Sequence, residues 1–73
     1  MNKMSAIVEC HSEFAYAEKP IALTMNNIRL EITEILSRWR SPGAIHFRVV
    51  TAARQIFELT YDEATDAWHI QQI

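Results

Sequence analysis

The chain has 73 residues, of which 49% are hydrophobic and 22% charged, with one Gly, two Pro, one Cys and a formal net charge of -2. That length excludes two-domain enzymes, Rossmann folds and TIM barrels, and the composition excludes disordered, collagen-like and low-complexity chains. A single Cys cannot build an intrachain disulfide framework, and the negative balance argues against nucleic-acid binding by bulk charge.

A first, less regular strand is expected within residues 6–16. Val8 and Cys10 share one parity, continued through Ser12 to Phe14 and Tyr16, with Glu9, His11 and Glu13 opposite. Residues 20–32 read as a hairpin. Ile21, Leu23 and Met25 alternate with smaller residues, and Ile28, Leu30 and Ile32 alternate with Arg29 and Glu31. Asn26-Asn27 between them tolerates the positive φ that a two-residue type I′ turn needs twice. The turn then pairs Met25 with Ile28, Leu23 with Leu30 and Ile21 with Ile32, all on one face.

Residues 31–40 admit two readings. Ile32, Ile35, Leu36 and Trp39 fall at i, i+3, i+4 and i+7, and Glu34 and Arg38 form an i,i+4 pair, as in a short helical segment at 32–40 that Ser41-Pro42-Gly43 would end. Alternatively, the strand continues, and a bulge near Thr33-Glu34 shifts parity so that Ile35 and Trp39 stay on the core face.

A second hairpin follows. Ile45, Phe47 and Val49 alternate with polar residues, as do Phe57, Leu59 and Tyr61. A three-residue loop, Ala52-Ala53-Arg54, sets Val49 opposite Phe57, Phe47 opposite Leu59 and Ile45 opposite Tyr61, although the usual loop Gly is missing. A third hairpin uses a four-residue loop within Asp62-Glu63-Ala64-Thr65-Asp66, which keeps Phe57 and Leu59 facing Ile70 and Trp68. The expected architecture is one all-β domain over residues 1–73: an antiparallel meander of five to six strands, curved or partly closed into a barrel. The expected core is Leu23, Ile28, Leu30, Ile32, Ile35, Trp39, Phe47, Val49, Phe57, Leu59, Trp68 and Ile70.

The longest run without a charge lies between Lys19 and Arg29, too short for a membrane span of about 20 residues. The start, Met1-Asn2-Lys3-Met4, opens no apolar stretch of the signal-peptide kind. With a lone Cys, the expected setting is a reducing cytoplasm, away from membranes.

Chemistry-bearing motifs are sparse. Cys10 and His11 are strand neighbours and point to opposite faces. His46 and His69 share the outward parity with one strand between them, and no third ligand completes a metal site. Cys10 lacks a nucleophile motif, so a small cysteine-dependent enzyme ranks last among the readings. Asp62, Glu63 and Asp66 lie in one loop, where Asp at a turn start bonds its own backbone. A Gly-rich phosphate loop is absent. No catalytic residue, metal or cofactor is therefore expected. What remains is an aromatic and arginine set: Arg29, Arg38, Trp39, Arg40, His46, Arg48 and Arg54. Stacking plus arginine is how single-strand binders work, provided Trp39 is exposed rather than in the core where its spacing puts it.

The order of features from Pro20 onward is Pro20-x-x-Leu23, the Asn26-Asn27 turn, Ile28-x-Leu30-x-Ile32-x-x-Ile35-x-x-x-Trp39-Arg40, Phe47-Arg48-Val49, Phe57-Glu58-Leu59, Tyr61-Asp62 and Trp68-x-Ile70. It resembles a domain-of-unknown-function family of short bacterial cytoplasmic β-rich proteins, similar to the tails of bacterial translesion DNA-polymerase homologues. In that pattern the turn is Gly-rich and preceded by Trp, where this chain has Met25 and Asn26-Asn27. The resemblance implies a small accessory domain in a DNA-repair context and transfers no catalytic residue. The leading expectation is a non-enzymatic interaction or accessory module that takes an unknown protein partner, or a second copy, through an edge strand. The alternative is a single-stranded nucleic-acid-binding accessory domain.

Overall fold

The structure, a computed structural model, describes residues 7–11 and 19–73. Six strands follow one another: β1 (Ile7–His11), β2 (Lys19–Met25), β3 (Ile28–Ser41), β4 (Ala44–Thr51), β5 (Ile56–Asp62) and β6 (Ala67–Gln72). They form one sheet in the order β1-β2-β3-β4-β5-β6, every neighbour antiparallel, curled into a half-barrel. The all-β meander is therefore as expected. Of the first strand expected within residues 6–16, residues 7–11 are strand, and the expectation for residues 6 and 12–16 lies outside the described residues.

The turns follow from residue chemistry. Asn26 and Asn27 have φ of 55° and 64°, the two left-handed residues of a type I′ turn, and Met25 pairs with Ile28 and Leu23 with Leu30. Pro42-Gly43 is the two-residue loop between Ser41 and Ala44, with Gly43 at φ 79°, which an L side chain resists. Arg54 supplies the left-handed residue of the β4–β5 loop at φ 65°, a position usually given to Gly. Its amide donates to the Thr51 carbonyl at 2.8 Å, and the Thr51 amide to the Gln55 carbonyl at 2.9 Å. Val49 then faces Phe57, Phe47 faces Leu59 and Ile45 faces Tyr61, the expected register.

The β5–β6 loop has four residues but starts one residue later than expected, at Glu63. The ladder slides by two: Leu59 faces Ile70, Tyr61 faces Trp68 and Phe57 faces Gln72, with the faces unchanged. Asp62 Oδ1 accepts the amides of Ala64 at 3.0 Å and Thr65 at 3.3 Å, which fixes the turn.

Residues 32–40 are strand, not helix. Two irregularities lie in the β3–β4 ladder, one between Ile32 and Glu34 and one between Ile35 and Ser37. The first is the bulge expected near Thr33-Glu34, and it holds Ile35 against the core. The second, at Leu36, restores the original parity. Trp39 consequently points outward beside His46, and Arg38 occupies the inner row beside Phe47. The expectation of a core Trp39 is corrected on this ground: one bulge inverts every face beyond it, and two cancel.

Buried side chains from all strands except β3 fill the concave face: Val8, Leu23, Ile45, Phe47, Val49, Phe57, Leu59 and Trp68. Leu30, Ile32, Ile35 and Ile70 pack against them half-buried. Ile28, expected in the core, is 59% exposed at the tip of the β2–β3 hairpin. The expected Ile21–Ile32 pair does not form. Ile21 is the extra residue where β2 bulges against β1, between Pro20 and Ala22, and Ile32 pairs with Thr51 of β4 instead. Thr51 is buried, yet its hydroxyl is satisfied inside the loop by the Gln55 amide at 3.3 Å.

Candidate functional site

β3 changes partners along its length. Its first four residues pair with β2, ending at Ala22–Glu31, and from Ile32 onward it pairs with β4. Among the described residues, no strand pairs with the other side of residues 32–41; residues 19–21 of β2 diverge from residues 32–35 and line a cavity with them. Ser41 and Ala44 flank a two-residue loop, so they exchange both ladder hydrogen bonds, and the pattern alternates from there. Trp39 and Ser37 direct their backbone groups to β4. Arg38 and Arg40 direct theirs to the open edge.

The outer face here carries a transverse row: Trp39, His46, Thr60 and His69 on β3 to β6. The indole of Trp39 lies parallel to the His46 ring, with centroids 5.2 Å apart and planes 7° from parallel. His46 is gripped at both nitrogens, with Ser41 Oγ 2.8 Å from Nε2 and Thr60 Oγ1 3.2 Å from Nδ1. A neutral imidazole donates from one nitrogen and accepts at the other, and hydroxyls can do either, so the ring is pinned. One indole face is spent on His46. The other is turned away from His46, and Trp39 is 38% exposed. Leu36, at the bulge, is also exposed.

The remaining arginines do not gather around Trp39. Arg48 shares its face but pairs with Glu58 at 3.3 Å. Arg38 and Arg40 flank Trp39 in sequence and so lie on the inner face. The Arg38 guanidinium sits 5.7 Å from the Phe47 ring centroid, a cation–π contact, and Arg40 pairs with Glu63 at 3.0 Å. Arg29 is ten residues away along β3, bonded to Glu9 at 2.7 and 3.1 Å and reaching Glu31 at 3.5 Å. Hydrogen bonding to the Arg29 guanidinium holds the Glu9 carboxyl below the usual range, and the same bond raises Arg29. Arg54 sits in the β4–β5 loop.

Other chemistry finds little support in geometry. Cys10 packs half-buried against the concave core, whereas His46 and His69 stand on the convex face. Ser41 beside His46 forms half of a nucleophile arrangement, but the third group, Thr60, is a neutral hydroxyl that cannot stabilise an imidazolium as a carboxylate does. Among the described residues, no group of three or more His, Cys, Asp or Glu could hold a metal ion, and no helix is long and apolar enough to cross a membrane. Comparison with known protein families, with curated proteins and with solved structures finds no match.

No residue type in the sequence marks the open edge, because it follows from where β3 leaves β2. Ser41 and Thr60 were also missed. Strand parity alone places Thr60 beside His46, and would have found it.

Proposed function

We propose that the protein is a non-enzymatic interaction module that takes an extended partner segment by strand addition along β3. The observation that carries this reading is the edge itself: a fourteen-residue strand of which β2 covers only the first four. Unpaired amides and carbonyls on a strand edge are a ready template for a further strand. The bulges at Thr33 and Leu36 restrict the regular part of that template to residues 37–41, where Arg38 and Arg40 present the backbone groups.

Capture from lysate tests this with two baits, wild type and Arg38→Pro. Proline at 38 removes an amide that faces the open edge and leaves the bonds to β4 intact. Partners that survive nuclease treatment and are lost on Arg38→Pro support strand addition. A partner set indifferent to the proline contradicts it.

A second reading, a single-stranded nucleic-acid accessory domain in a repair context, is favoured by the exposed indole of Trp39. It is opposed by the carboxylate partners of Arg29 and Arg48, which offset the positive charge on the outer face where Trp39 stands.

A further inference from the structure

The edge also carries information about what it accepts, on the understanding that strand addition at β3 is its mode. Three consecutive residues, Arg38-Trp39-Arg40, form its regular stretch. Strand alternation puts the two guanidinium groups on the inner face and the indole on the outer face. Arg38 has no carboxylate within ion-pair distance among the described residues, and its charge rests over the Phe47 ring. Arg40 shares a single exposed carboxylate, Glu63.

An antiparallel partner would exchange backbone hydrogen bonds with Arg38 and Arg40. The partner residue opposite Trp39 would then sit in a non-hydrogen-bonded pair, the closer of the two kinds, about 4.5 Å between Cα atoms. Its side chain emerges on the outer face, on the side of the indole away from His46, in line with the existing His46–Trp39 stack. An aromatic ring there extends a two-ring stack to three, and aromatic cross-strand pairs are among the most favourable. The partner residues on either side emerge on the inner face, directly opposite Arg38 and Arg40. Opposite charges are favoured at such positions and like charges are penalised.

We infer that β3 selects an extended segment with an acidic–aromatic–acidic triplet, the aromatic ring stacking on Trp39 and the two carboxylates pairing with Arg38 and Arg40. The exposed arginines set preference more than affinity, so a short peptide should bind weakly but discriminate clearly.

The test uses the ¹⁵N-labelled full chain and three capped peptides. The first is Thr-Thr-Glu-Phe-Glu-Thr-Thr. The second has Lys in place of both Glu, and the third has Ala in place of Phe. The expected result is that the first shifts the amide signals of Arg38 and Arg40 and the indole N–H signal of Trp39. The Lys peptide should bind at least tenfold more weakly. The Ala peptide should bind several-fold more weakly and leave the indole signal unmoved. Trp39→Ala should erase the difference between the Phe and Ala peptides while keeping that between Glu and Lys. If all three peptides shift the Arg38 and Arg40 amides equally, strand addition stands and the triplet preference is wrong. If no peptide moves those amides, both fail. A mixed-sequence single-stranded oligonucleotide that shifts the Trp39 indole where no peptide does would overturn both in favour of the nucleic-acid reading.

Discussion

The β4–β5 hairpin and the second half of β3 lie side by side in one sheet, one with an unbroken ladder and the other with two bulges. From Ala44 to Asp62 the ladder runs through seven pairs without a register shift, and burial alternates in step with it. From Ile32 to Ser41 two single-residue shifts interrupt the pairing. Alternation assigns faces only relative to the last regular pair, so an undetected bulge inverts everything after it. Trp68 and Trp39 embody the difference: the first is buried against Phe47 and Tyr61, the second stands outside against His46.

The largest effect expected from this contrast is at Trp68. Trp68→Ala removes a ring that is 8% exposed and should cost about 3–5 kcal/mol. In so small a domain that approaches the whole stability, so denaturant titration should find the variant mostly unfolded. A melt near wild type would invert the face assignment of the regular region.

Trp39→Ala should cost far less, about 0.5–1.5 kcal/mol, the worth of one aromatic stack. The same titration should show a cooperative transition close to wild type. A loss equal to that of Trp68→Ala would mean that the second bulge does not form and Trp39 is core.

Smaller still, and of opposite sign, is Arg54→Gly. A left-handed conformation costs an L residue roughly 1–2 kcal/mol, and glycine's extra unfolded-state freedom returns about 0.5–1 of it. The variant should gain on the order of 0.5 kcal/mol, read as a raised denaturation midpoint. Destabilisation would show that the β4–β5 loop does not hold φ positive at that position.

The smallest effect concerns pH. The Glu9 carboxyl is lowered in the folded chain by its hydrogen bonds to Arg29. Its contribution is present above the ordinary glutamate range and is lost as pH falls through the lowered folded value. Wild type should therefore lose slightly more stability on acidification than Glu9→Gln, and the pair is exposed, so the difference is small. A Glu9→Gln variant that is the more acid-sensitive of the two would contradict the ion pair.

Much of the fold was readable because turn residues and alternation agreed. Asn26-Asn27 fixed one register, and the spacing around Ala52-Ala53-Arg54 fixed another, even without a glycine. The β5–β6 register slid by two, since Asp62 can close a loop from inside the strand or outside it, and parity does not distinguish the two. Ile45 follows the same alternation as Phe47 and Val49 and is buried with them, although it was not counted in the core. Ala22 and Thr51 were illegible: one is small and of polar-face parity, the other a hydroxyl satisfied within its own loop by the backbone of Gln55. At the candidate site, the residue types of Arg38, Trp39, Arg40 and His46 were visible, but their faces depended on Leu36, an ordinary apolar residue whose role as a bulge has no local signature.

Amide hydrogen exchange along β3 tests the open edge most directly. Alternation is expected: slow exchange at Ser37, Trp39 and Ser41, whose amides bond β4, and fast exchange at Arg38 and Arg40, whose amides face outward. Uniform protection from Ser37 to Ser41 would contradict it, because it would mean that the edge of β3 is already covered.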